Sequence, residues 1–205
     1  MPDYPNIEVL QTHLRACRRC LEAGYPIFST PVVSGKQSAR VMLIGQAPGG
    51  IEATDGFRQP FMGDAGRRLF RWLERARWTE REFREQAYIA AVTRCYPGPA
   101  KSGSGDRVPS AAERALCRPW LDNELELVQP ELIIPVGSLA VSLFYPRGTR
   151  LTDIIGTTMQ DEAGRHFVPL PHPSGASRWL NSPRNIGHLE QALYELRTLR
   201  AELGL

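Results

Sequence analysis

Four short apolar runs, alternating with segments of helical periodicity, constrain this chain more than any other feature. They are RVMLIGQ (Arg40–Gln46), AYIAAVT (Ala87–Thr93), ELIIPVG (Glu131–Gly137) and HFVPL (His166–Leu170). Near-continuous apolar runs of this length read as strands buried on both faces, which is the habit of parallel sheets. Helical spacing covers Asn6–Glu22, with Ile7, Leu10, Leu14 and Cys17 on one face, and Asp64–Arg77, with Leu69, Phe70 and Leu73. It also covers Ser110–Val128 and Ile186–Glu202. Ser110 and Glu113 have the spacing of a capping box, which places a helix start there. Strand and helix in alternation predict an α/β fold: three αβα layers around a central, mainly parallel, four-stranded sheet, in one domain over residues 1–205. In such sheets ligands sit beyond the carboxyl ends of the strands.

Charge says little about partners. The formal net charge is +3, carried by arginine more than lysine. Arg67, Arg68, Arg71, Arg75 and Arg77 crowd one helical segment, and Arg178 and Arg184 flank a late Trp/Asn stretch. Guanidinium groups suit phosphate oxygens, but the same pattern describes a solvated helix face. No apolar run reaches the roughly 18 residues of a membrane helix, and MPDYPNIEVL has no basic-then-apolar leader. The expectation is a cytoplasmic protein without a membrane partner, monomeric by default. PGPAKSGSGDRVPS (Pro97–Ser110) reads as a mobile loop.

The cysteines are Cys17, Cys20, Cys95 and Cys117. The CRRC spacing of the first two lets both sulfurs reach one centre. Outside an oxidising compartment such a set points to a metal rather than to disulfides. Four thiolates suit zinc or a [4Fe–4S] cluster, and the spacing does not choose between them. An incidental pair plus two core cysteines is the plain alternative. Any metal here would tie the N-terminal helix to the helix after the loop, a structural role.

Two motifs fall just after strands. GQAPGG follows the first: Gly45 permits a tight turn, Gln46 and Ala47 can present N–H groups to a ligand oxygen, and Pro48 stiffens the loop. It lacks the Lys-Ser/Thr of a phosphate-binding P-loop. LPHPS follows the fourth strand and holds His172 between two prolines, which restrict its backbone. Between them, FRQPFMGDAG offers Phe61 for stacking on a flat ring and Asp64 as either a helix N-cap or a functional carboxylate.

Together, in order, CRRC, VMLIGQAPGG, RQPFMGDAGRRL, YIAAVTRCYPG, PSAAERALCRPWL, QPELIIPVGSLA and LPHPSGASRWLN resemble the iron–sulfur branches of the uracil-DNA glycosylase superfamily, families 4 and 5, over nearly the whole chain. The resemblance implies an enzyme that flips uracil out of double- or single-stranded DNA and hydrolyses its glycosidic bond, leaving an abasic site. It implies a [4Fe–4S] cluster on Cys17, Cys20, Cys95 and Cys117, with zinc as the minor option. Gly45, Gln46, Ala47, Phe61, Ala91, Ser174 and Asn181 would line the base site. The N–H groups of Gln46 and Ala47 would meet uracil O2, Phe61 would stack on the base, and His172 would donate to O2 as charge develops there. Arg178, Trp179 or Leu180 would fill the gap left by the flipped base.

The sequence departs from that pattern at named positions. Family 4 carries a carboxylate where this chain has Gln46, and an asparagine where it has Ala91. YIAAVTRC and the GD pair are closer to family 5, although GQAPG ends in Gly where that family usually has Ala. Gln46 therefore stays in the active site as pocket floor, and Asp64 becomes the expected water-activating carboxylate, with Asp55 behind it. Lacking the asparagine, the pocket would also admit hypoxanthine or xanthine. Cys95 and Cys117 stand 22 positions apart because of the KSGSGDR insertion. The insertion has no histidine to form a covalent adduct. A slow or non-excising uracil-DNA sensor is the alternative function.

Overall fold

The computed structural model describes residues 3–54, 59–101, 105–175 and 177–205. Asp55, and Phe57 and Arg58 of the FRQPFMGDAG segment, lie outside the described residues. The elements run α1 (Ile7–Arg15), α2 (Arg19–Glu22), β1 (Val41–Gly45), α3 (Gly50–Thr54), α4 (Asp64–Arg75), α5 (Glu80–Gln86) and β2 (Ala87–Ala91), then α6 (Ala111–Val128), β3 (Leu132–Pro135), α7 (Ser138–Val141), α8 (Leu151–Ile154), β4 (Met159–Gln160), β5 (His166–Phe167) and α9 (Pro183–Leu203).

The sheet order is β2-β1-β3-β5-β4. β2, β1, β3 and β5 are mutually parallel, with Gly45 beside Ala91 and Ile44 beside Pro135. β4 pairs antiparallel with β5. The expected α/β architecture holds, with one correction: the sheet has five strands rather than four. Met159–Gln160 is too short to show a period, and it is folded onto β5 by a turn in which Asp161 Oδ1 accepts from the N–H groups of Ala163 and Arg165.

Alternate strand residues feed two cores. Val41, Leu43, Ile89 and Ile134 pack with Leu69, Phe70 and Leu73 of α4, Phe83 of α5 and Leu189, Leu193 and Leu196 of α9. Met42, Ile44, Ala90 and Ile133 pack with Ile7, Leu10 and Leu14 of α1, and with Trp120 and Leu121 of α6. This period-two division of strand side chains produces the three layers. No helix among the described residues is long and apolar enough to cross a membrane.

The helical segments follow the expected ranges except at several ends. The first is broken after Arg15, where the Ala16 and Cys17 N–H groups bond to His13 and Leu14 carbonyls, and the chain restarts as α2. α6 begins as expected, with Ser110 and Glu113 forming both bonds of the capping box. The Pro97–Ser110 segment is not a free excursion at its described stem. Pro99 and Asp106 form an antiparallel bridge, Ala100 N–H bonds to Gly105 O (2.9 Å) and Arg107 N–H to Gly98 O (2.9 Å).

Candidate active site and cysteine cluster

The carboxyl ends of β1, β2, β3 and β5 lie along one edge, and each continues into a site segment. After β1, Gln46 O accepts from Thr93 N–H (3.1 Å), which ties the GQAPG loop to the segment leaving β2. The N–H groups of Gln46 and Ala47 have no hydrogen-bond partner among the described residues. Gly45 is glycine for a steric reason: a β-carbon there would stand 2.8 Å from Phe61 Cζ. The phenyl ring thus lies directly on the floor of the loop.

Phe61 is held there against its own backbone preference. Its φ is +60°, a region a bulky residue rarely occupies. Three neighbours stabilise it. Gly66, in the first turns of α4, leaves room for the Phe61 carbonyl, which a β-carbon would strike. Arg84 of α5 donates to the carbonyls of Pro60 (2.9 Å) and Phe61 (3.2 Å) while its guanidinium lies over Phe70. Glu52, only 7% exposed, accepts from Met62 N–H (2.8 Å), Gly63 N–H (3.4 Å) and, across the site, Gly49 N–H (3.0 Å). One buried carboxylate therefore staples the GQAPG loop to the Phe61 loop.

His172 follows β5 and packs on Gly137 at the end of β3, where a β-carbon would meet its ring at 3.1 Å. Gly137 adopts φ +82°, open to glycine and strained for other residues. Ser174 N–H donates to His172 Nδ1 (3.2 Å), and the Ser174 hydroxyl lies 2.9 Å from the same nitrogen. An N–H can only donate, so Nδ1 is the acceptor and the neutral ring carries its proton on Nε2. Burial lowers the His172 pKa from its ordinary value, partly opposed by the negative charge of Asp106. The uncharged Nε2–H donor is thereby kept at neutral pH.

The remaining expected residues fall as follows. Ala91 ends β2 beside Gly45 and offers only a methyl group. Asp64 is the first residue of α4, not its cap. Its side chain is 86% exposed and pairs with Arg67, one turn along the helix. Arg178 and Asn181 are exposed, whereas Trp179 and Leu180, in the 3-10 turn Trp179–Asn181, pack partly against the core below. Asn185 fixes that turn by donating to Trp179 O (2.7 Å), and Arg68 reaches Ser174 O (3.4 Å). Glu52, Gly66, Arg84 and Gly137 were not apparent in the sequence, since each acts on backbone that only tertiary structure brings near.

All four cysteines line one cavity on the α1/α6 side, and none is in a disulfide. Among the described residues no three metal-binding side chains converge closely enough for a single ion. A tetrahedral zinc site would hold its sulfurs about 3.8 Å apart, from Zn–S bonds of about 2.3 Å. Burial raises the thiol pKa of Cys20 and Cys95, and that of Cys117 to about 12. Thr93 Oγ1 and Arg94 Nε, from residues lining the same cavity, are buried donors without partners among the described residues. Behind the cavity Arg94 forms a buried ion pair with Glu124 of α6, and Tyr88 OH donates to the same carboxylate (2.7 Å).

Fold and strand-end loops define an α/β protein whose site lies at the carboxyl edge of a parallel sheet. The family model of the Uracil DNA glycosylase superfamily matches residues 32–197, and the chain belongs to that superfamily. It is similar to the type-4 uracil-DNA glycosylase of Thermotoga maritima, 27% identical over 83% of this chain and 84% of the relative. The type-4 enzyme of Sulfurisphaera tokodaii is 27% identical over 95% and 84%, and that of Archaeoglobus fulgidus 27% over 79% and 73%.

Proposed function

We propose that this protein is a DNA-repair glycosylase that takes uracil out of the base stack and hydrolyses its N-glycosidic bond. The observation that carries this reading is the pairing of donors at the strand ends: unpaired N–H groups on Gln46 and Ala47, and a neutral His172 with its proton on Nε2. As the bond from C1′ to uracil N1 breaks, its electron pair leaves with the base and charge gathers on O2. Donors placed for that oxygen stabilise the transition state more than the ground state. Phe61 gives the base a flat surface to stack on. Ser174 fixes the His172 tautomer. Asn181 and Arg178, exposed on the segment after PHPS, face the nucleic acid, and Trp179 and Leu180 support that segment from below. Ala91 supplies no reader for the Watson–Crick edge, which favours a pocket that also admits hypoxanthine or xanthine.

The four thiols would hold a [4Fe–4S] cluster. The observation in favour of it is that all four cysteines line one cavity. When bound, the cluster supplies a structural cross-link between the α1–α2 turn, the segment after β2 and α6. The substrate is uracil-containing DNA, and the working unit is one chain.

The test is incubation with a uracil-containing oligonucleotide followed by alkali. Strand breakage at the uracil is expected, and His172→Ala should slow it by about 10²–10³-fold, as for loss of one oxyanion donor. A band shift without breakage identifies a sensor instead. A folded and cluster-loaded protein that gives neither breakage nor a band shift overturns the reading.

A further inference from the structure

Among the described residues, Glu52 and Asp106 are the two carboxylates that flank the GQAPG loop. A β-carbon on Gly49 would stand 2.9 Å from Glu52 Oε2 and 3.1 Å from Asp106 Oδ2. Their surroundings differ. Glu52 is buried, and its oxygens are taken up by three backbone N–H groups. Asp106 opens to solvent, and Tyr96 OH hydrogen-bonds to it.

We infer that Asp106, on the stem of the inserted loop, is the carboxylate that takes the proton of the attacking water in this enzyme. The assignment rests on the excision reading above. It gives the loop a task that position 46, an amide, cannot perform, and for which the Asp64 carboxylate is turned along its helix toward Arg67.

The stem holds Asp106 in place from both sides. Asp106 forms an isolated antiparallel bridge with Pro99, and Arg107, the next residue, bonds back to Gly98 O through its N–H. Arg107 donates to both oxygens of Glu113 (2.7 Å each) and to Pro97 O (3.0 Å). The loop is thus anchored to α6 by one residue while its neighbour faces the GQAPG loop. Asp106 is also close enough to His172 for its charge to act on the ring. One carboxylate and one neutral donor therefore share the strand-end edge. In the reaction, water oxygen bonds to C1′ as the C1′–N1 bond breaks toward uracil. The water proton passes to Asp106, and the uracil anion is later protonated from solvent.

Single-turnover excision, its pH profile and binding to a duplex with a cleavage-resistant fluorinated deoxyuridine test this. The charged or titratable groups around Asp106 are His172, Tyr96 and Glu52, with Arg107 beside it in sequence. Asp106→Asn is expected to slow excision by about 10²–10⁴-fold, the usual range for a positioned base. It should leave duplex binding intact and remove the acidic limb of the profile, and Asp106→Glu should restore part of the rate. Asp64→Asn, whose carboxylate is exposed and paired with Arg67, should stay near wild type. Near-wild-type excision by Asp106→Asn overturns the assignment. So does a loss in which rate and binding fall together with the profile unchanged. A wild-type chain that releases no uracil overturns the excision reading itself, and the assignment falls with it.

Discussion

At the scale of single residues, the site is built mostly from groups whose contribution is to the backbone. Glu52 touches no candidate ligand position directly, yet it accepts from Gly49 on one loop and from Met62 and Gly63 on another. Glu52→Gln keeps the shape but replaces one acceptor oxygen with an NH₂ that cannot receive these bonds. Hydrogen bonds to a charged group are worth about 1.5–3 kcal/mol each, and a partner left unsatisfied costs a similar amount. Urea denaturation should therefore show a loss of roughly 2 kcal/mol, with excision reduced because the Phe61 ring and the loop floor are no longer held together. An unchanged midpoint and rate would mean that the staple is dispensable. His172 was legible in the sequence because prolines flank it. Its tautomer was not, because that follows from one N–H at Ser174 and a tight approach by Gly137 from a different strand. Asp64 looked suitable because GD precedes an apolar helix, but spacing does not tell which way an exposed side chain turns.

At the scale of elements, the strands could be read because each is an unbroken apolar run, and α6 because its capping box is explicit. α5 carries the same signal at Thr79 and Glu82, although it is too short for a clear period. The stem of the inserted loop was hidden for a different reason. Its order comes from Arg107 and Glu113, an ion pair that no local spacing rule identifies, while the flanking Gly and Ser suggest mobility. Arg107 holds the Glu113 carboxyl down to about 2, with the Ser110 cap adding to the effect. A lowered carboxylate stabilises the fold above its ordinary pKa of 4.5 and loses that contribution as the pH falls from there toward 2. Arg107→Met leaves a nearly buried carboxylate, 2% exposed, with only its cap partners. Denaturation at pH 7 should show a loss of roughly 2 kcal/mol, with the difference from wild type shrinking as the pH falls from 4.5 toward about 2. A constant difference across that range would assign the effect to something other than this pair.

At the scale of the whole molecule, two cores share one sheet, and the cysteines belong to only one of them. Cys17 and Cys20 follow α1, Cys95 follows β2 and Cys117 lies in α6, all on the face that packs Ile7, Leu10 and Leu14. The opposite core, with α4, α5 and α9, contains none of the four. On the cluster reading, removing the cluster with a chelator, or changing Cys17→Ser, should abolish the iron–sulfur absorbance and raise amide exchange in α1, α2 and the N-terminal part of α6. Exchange in α9 should hardly change. The buried Arg94–Glu124 pair joins the β2 segment to α6 without any metal, so the sheet should survive. Uniform exchange across both cores would contradict this division.

The adjacent placement of Asp106 and Arg107 has a consequence for assembly. One two-residue step links the carboxylate beside the GQAPG loop to the arginine that clamps the start of α6. On the cluster reading proposed above, a chain lacking the cluster would hold that helix, and with it the stem, less firmly. Loss of order on one side of the sheet would then reach the other through a single step of backbone.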